Sequence, residues 1–350
     1  MTVGALQSLA AHLALGLVGG LAADALALPM PYLLGSLCVV APVVIWRSAQ
    51  GAEPFWLPKG LRFFFVAVIG ALIGARFSPD LIAKLPTIWI SLLAVAIFVI
   101  LAHIVGYIIY RRVAGYDRAT ALYGAMPGGL VEGVALGEQA GGNAMLLTVH
   151  HFARIVIVVV TVPLLFSLLA GQSLQGADGA GPAEGAQGLL DALLIALLSI
   201  AGLLGGQLLK IPAGHLMGPL VLVAIVHGLG LVSLTSPEWL LALAQLVVGT
   251  GLAKQFAGAT PRILARAFSF TLLAVGAMFG LTALAALAVS QATIMAYDAA
   301  FVSFAPGGLA EMGLIALALD ASPVLVAMHH LVRIVLTVIF VRIAHRWLLG

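Results

Sequence analysis

Hydrophobic residues along the chain gather into twelve runs, approximately 5–28, 31–46, 61–77, 86–110, 119–138, 144–170, 189–209, 215–234, 239–256, 265–291, 299–319 and 323–349. Short stretches rich in Pro, Gly and charge separate them. Runs such as Ile88–Tyr110 and Ala265–Ser290 exceed the roughly 20 apolar residues that cross a bilayer as a helix. The many glycines suit this reading, because small residues let membrane helices pack closely. The pattern predicts an all-α fold: a polytopic helical membrane protein whose first partner is the lipid bilayer.

The twelve runs divide six and six around Gly171–Gly188, "GQSLQGADGAGPAEGAQG", which is small and polar apart from Leu174. Such a composition reads as a flexible, solvated linker between a first membrane repeat (1–170) and a second (189–350). The two halves share a text. "MPGGLVEG" begins at Met126 and "APGGLAEM" at Ala305, 179 residues on; "HHFARIV" begins at His150 and "HHLVRIV" at His329, at the same offset. Pro29 and Gly35 match Pro212 and Gly218, and Gly70 and Phe77 match Gly249 and Phe256. This is an internal duplication.

Composition agrees with the pattern, at 63% hydrophobic and 8% charged residues. A formal charge of +3 could suggest nucleic acid, but the basic residues are scattered through short connections and form no patch, so no nucleic-acid partner is expected. Cys38 is the single cysteine, which excludes an intramolecular disulfide and a Cys-based metal site. No basic stretch precedes the first run, so it reads as a retained helix rather than a cleaved signal. Trp46, Trp89, Trp239 and Trp347 lie near ends of runs, as an interfacial belt places them.

The basic residues also bear on topology. If all twelve runs cross and the N-terminus is cytoplasmic, the inside holds Arg47, Lys59, Arg62, Arg111, Arg112, Arg118, Arg342 and Arg346, and the outside holds Arg76, Lys84, Lys210, Lys254, Arg262 and Arg266. That is hardly a bias. If the two Pro-Gly-Gly runs instead enter and turn back, Lys210, Lys254, Arg262 and Arg266 move inside and only Arg76 and Lys84 stay out, in line with the preference of Lys and Arg for the cytoplasm. Five crossings per half then invert the second repeat relative to the first, an architecture associated with secondary transporters. Both termini are cytoplasmic in this arrangement and the linker is external.

Candidate chemistry lies in the duplicated motifs. Proline removes a helical hydrogen bond and two glycines weaken the helix further, so breaks are expected at Pro127-Gly128-Gly129 and at Pro306-Gly307-Gly308. Non-helical backbone at membrane depth persists where it is buried in protein or lines a cavity. A half-helix beginning there presents free amides and a positive dipole end to an anion. Glu132, Arg154, Glu311 and Arg333 lie in apolar runs, where each ionised side chain costs roughly 3 kcal/mol or more. His150 and Arg154 share one helix face, as do His329 and Arg333, while His151 and His330 point about 100° away.

Two interpretations of this set stand side by side. Glu132 with Arg154, and Glu311 with Arg333, could be buried ion pairs that fix register. Alternatively the arginines and helix ends bind a carboxylate or similar anion, while a glutamate or histidine exchanges a proton. A metal site is disfavoured, since adjacent histidines do not share a helix face and the arginines repel cations. Neither a metal nor another cofactor is expected. Glu138, Gln139 and Asn143 face Leu317, Ala318 and Ser322 at the 179-residue offset, and Asp320 faces Gly141, which makes one side of a central site the more polar.

On Pro127–Glu132 with His150–Arg154 and Pro306–Glu311 with His329–Arg333, the chain resembles the AbrB-type integral membrane proteins, a bacterial family built on a duplicated membrane module. The resemblance covers residues 10–170 and 190–348. It carries two functional labels, a regulator of gene expression and an ammonia monooxygenase, and assigns no catalytic residue. The residues themselves point to a non-enzymatic secondary transporter of a small polar or anionic metabolite, coupled to protons. A membrane sensor and a metal-dependent oxygenase are the alternatives, and homo-oligomerisation is left open.

Overall fold

A computed structural model describes residues 3–53, 55–78, 80–170, 186–232 and 234–349. Residues 171–185 of the expected linker lie outside the described residues, and its last three begin the eighth helix. All regular structure among the described residues is helical. Among the described residues, seven helices are long and apolar enough to cross a membrane, so the protein is a multi-pass membrane protein.

The first half of the chain supplies α1 (Val3–Ala25), α2 (Pro31–Ala49), α3 (Lys59–Gly74), α4 (Asp80–Ile108), α5 (Arg118–Gly124), α6 (Leu130–Gln139) and α7 (Ala144–Ala170). The second half repeats the order as α8 (Ala186–Leu208), α9 (Gly214–Gly228), α10 (Glu238–Lys254), α11 (Pro261–Ala292), α12 (Tyr297–Phe304), α13 (Leu309–Ala318) and α14 (Pro323–Leu348). The duplication extends to backbone conformation that composition does not reveal. Ala27 and Met30 take positive φ before α2, and Lys210 and Ala213 do so before α9, at 53° and 49° against 52° and 51°. Such angles are strained for residues with a Cβ. Tight packing of the following helix holds them: Met30 is 1% exposed.

The chain forms two compact units, each assembled from both halves. Unit 1 comprises Met1–Ala83, Val162–Gly258 and Gly313–Val324. In it α1 packs on α2 with Gly19 against the backbone of Gly35, and α8 packs on α9 with Gly202 against Gly218 and Pro219. The other two packings cross between halves. Gly70 of α3 lies on the Leu216 carbonyl of α9, and Gly249 of α10 lies on the Leu33 carbonyl of α2. At each point a Cβ would collide with backbone, so the glycines are what allow these helices to touch.

Unit 2 comprises Lys84–Thr161, Ala259–Met312 and Leu325–Gly350 and contains every candidate site residue. Each Pro-Gly-Gly run is broken: helix ends at Gly124 and resumes at Leu130, and ends at Phe304 and resumes at Leu309. At about 1.5 Å per residue the pieces are roughly 10–15 Å long, far short of the ~30 Å apolar thickness of a bilayer. The first pair folds back on itself. Gly137 near the end of α6 lies against Tyr123 at the end of α5, Gly142 lies against Ala119 and Thr120 at its start, and the Asn143 amide donates to Thr120 Oγ1 at 2.8 Å. The start of α5 and the end of α6 are therefore neighbours, with Met126–Gly129 at the tip.

Candidate functional site

A helix that stops inside an apolar region leaves its last carbonyls without partners. The duplicated His-His-x-x-Arg text supplies those partners. On α7, the His151 ring donates from Nε2 to the Tyr123 carbonyl at 3.1 Å, and the Arg154 guanidinium donates to the Met126 carbonyl. On α14, His330 donates to the Val302 carbonyl at 2.9 Å, and Arg333 donates to the carbonyls of Phe304, Ala305 and Gly307, the last at 2.7 Å. Tyr123 and Val302 are equivalent positions, as are Met126 and Ala305. The same two side chains thus hold equivalent carbonyls in both halves, and Arg333 holds further ones.

The glutamates sit on the other side of each break. Gly129 caps α6 in the left-handed region, at φ 67°, which glycine adopts without strain. Glu132 is the third residue of that helix, and its carboxylate folds back so that a Cβ on Gly129 would lie 3.3 Å from it. Glu311 has the same place in α13, with its carboxylate against Gly308. An acid at the third position reaching back to the cap complements the positive end of a helix.

These positions correct one expectation. The buried ion pair of Glu132 with Arg154 is not formed: Glu132 is exposed, and the arginine is turned to the carbonyl of its own break. Arg154 is 4% exposed and Arg333 1% exposed. Their Nε–H groups are buried and have no hydrogen-bond partner among the described residues. Both guanidinium groups approach the first break, Arg154 at the Met126 carbonyl and Arg333 at Gly128. Gly128 of the first break lies directly over Arg333, where a Cβ would be 3.5 Å from Nε.

His150 and His329, the first histidine of each pair, reach across the repeats. His150 Nδ1 lies 2.7 Å from Thr271 Oγ1 of α11, and Nε2 lies 2.9 Å from the Tyr116 hydroxyl. His329 Nε2 lies 2.8 Å from Ser91 Oγ of α4, and Nδ1 lies 2.8 Å from the Leu325 carbonyl. Sequence reasoning did not single out Thr271 or Ser91. A lone hydroxyl in an apolar run is common, and only the crossing of helices pairs it with histidine. Tyr116 is buried against His150, Tyr110 and Phe270. A π-helical turn, Ile109–Val113, leads into it.

The polar surplus of the first repeat is not at the break. Asn143 and Glu138 belong to the far end of the α5–α6 hairpin, and Asp320 forms an exposed ion pair with Arg76 at 3.6 Å in unit 1. Asp117 is the N-cap of α5 and accepts the Thr120 amide at 2.7 Å. Among the described residues, no three His, Cys, Asp or Glu side chains are grouped to hold a metal ion.

Comparison with known proteins is decisive for the family. A family model described as "Transition state regulatory protein AbrB" matches residues 42–349. The chain belongs to the AbrB family. This AbrB-family chain is 25% identical over 353 residues to a Bacillus subtilis (strain 168) protein named "Uncharacterized protein YhjN", covering 93% of this chain and 89% of the relative. It is 24% identical over 312 residues to an Escherichia coli (strain K12) protein named "Putative regulator AbrB", covering 85% and 84%. Both matches cover most of this chain and most of the relative.

Proposed function

We propose that this AbrB-family protein is a secondary transporter of a small anionic metabolite and that the two broken helices form its binding site. The observation that carries the proposal is the pair of buried guanidinium groups, each at a helix break and each with an Nε–H that no atom among the described residues accepts. Two cationic groups close together inside an apolar protein are costly, and an anion between them removes that cost. Gly128 leaves the approach to Arg333 open. The four histidines and two glutamates are the proton-handling candidates, with His150 and His329 in hydroxyl-linked settings. No catalysis is part of this reading.

The back-folded α5–α6 hairpin supports five crossings per half, and an odd number inverts the second repeat. The crosswise pairs His150–Thr271 and His329–Ser91 support the same pseudo-two-fold plan. We place the chain in a bacterial inner membrane with both termini cytoplasmic, on the charge asymmetry of its connections. A regulatory role, the one printed in the name of the E. coli relative, would follow if the transported solute is itself an effector.

The test is a thermal-stabilisation screen of the purified protein in detergent against mono- and dicarboxylates. A stabilising carboxylate should lose its effect in Arg333→Lys, which cannot present a planar donor pair, and in Gly128→Val, which fills the approach and keeps the arginine. Full stabilisation in both variants would show that the anion binds elsewhere.

A further inference from the structure

A second basic site lies in unit 2 away from both breaks. A cavity of about 390 Å³ opens between the end of the α5–α6 hairpin and the last turns of α14, and its lining includes Tyr123, Gln139, Arg342, His345 and Arg346. Positions 342, 345 and 346 are spaced to share one helix face. Tyr123 ties the walls together through its hydroxyl, 3.0 Å from His345 Nδ1. No Asp or Glu is among the lining residues; Glu138 is adjacent to Gln139 in sequence and outside the lining.

We infer that this cavity binds a phosphate group. Arginine pairs two N–H donors with two phosphate oxygens, and a pair of arginines with a histidine, a phenol and an amide supplies a full donor set. A volume of 390 Å³ is within the range of small-ligand sites. Basic residues in a last helical turn can also serve only to complement the helix dipole. That role needs no cavity and no shared face, and here both are present. Depth adds a further indication. Trp347, beside Arg346, is 84% exposed, and exposed tryptophan at the end of a membrane helix marks the headgroup layer. Phosphate at that depth is carried by anionic lipid head groups, which basic pockets between membrane helices take up, or by a phosphorylated solute at the same surface.

The full-length protein in detergent decides between these sources and tests the site itself. Native mass spectrometry with phosphatidylglycerol or phosphatidylcholine gives the lipid arm, and thermal stabilisation by inorganic phosphate and pyrophosphate gives the solute arm. The double variant Arg342→Gln/Arg346→Gln alters exposed side chains, and Arg47→Gln/Arg112→Gln is the charge-matched control at other exposed positions. Retention of phosphatidylglycerol over phosphatidylcholine, weakened about tenfold or more in the first variant and unchanged in the control, identifies a lipid site. Stabilisation by phosphate or pyrophosphate with the same dependence identifies a solute site. Equal behaviour of the two double variants in both arms overturns the inference. The transport reading does not enter any of these outcomes.

Discussion

Arg154 and Arg333 occupy equivalent positions but do unequal work, and a conservative change measures the difference. Lysine keeps the charge and loses the planar fork, so it can hold one carbonyl where arginine holds several. Arg154 donates to the Met126 carbonyl alone, which a lysine ammonium can still approach. Arg333 donates to Ala305 and to Gly307 at 2.7 Å, with Phe304 at the outer limit of 3.4 Å. Arg333→Lys therefore loses at least one further charge-assisted hydrogen bond to a buried carbonyl, at about 1–3 kcal/mol. Because both variants retain a buried cation, its desolvation cancels in the comparison. We expect Arg333→Lys to be less stable than Arg154→Lys by about 1–3 kcal/mol, read as the difference in denaturation midpoints at equal slope. Hydrogen exchange should rise more at residues 306–312 in the first variant than at 127–133 in the second. If Arg154→Lys proves equally or more destabilised, pinning of the breaks by carbonyl hydrogen bonds is the wrong account of these arginines.

Gly133→Ala gains up to about 1 kcal/mol of helix propensity, yet its Cβ would lie 2.6 Å from His151 Nε2 and displace the ring from the Tyr123 carbonyl, so a net loss of about 1–3 kcal/mol is expected in thermal or chemical unfolding. Asp117→Ala should cost about 1 kcal/mol by removing the α5 cap, whereas Asp298→Ala should cost less, because α12 is capped by Ala296 with no side-chain bond. Parallel unfolding curves of the two variants check this, and equal losses would contradict the assigned caps. Gly249→Ala drives a methyl into the Leu33 carbonyl and Ser36 and should destabilise unit 1 by several kcal/mol, visible as lost expression or a lowered unfolding temperature. In a Cys38→Ser background, a cysteine at Ser173 should label from outside intact cells and one at Leu349 should not; the reverse pattern would refute the proposed orientation.

Much of the architecture is legible in the chain itself. Apolar length fixes which segments are helical and membrane-embedded, because a run of 20 such residues has no stable place in water. Proline and paired glycines fix where two helices break, because the hydrogen-bond ladder cannot pass them. The 179-residue offset fixes that the plan is doubled. None of this says what the costly residues touch. From charge alone Glu132 and Arg154 look like an ion pair, since opposite charges at membrane depth attract. Folding offers the arginine a carbonyl with no other partner and the glutamate the start of its own helix, and local backbone demand decides both. The reach of His150 to Thr271 and of His329 to Ser91, the seating of Gly128 on Arg333, and the basic cavity under α14 depend on helix crossings between segments more than a hundred residues apart. Periodicity shows which face of a helix a side chain occupies, and only packing determines what stands opposite.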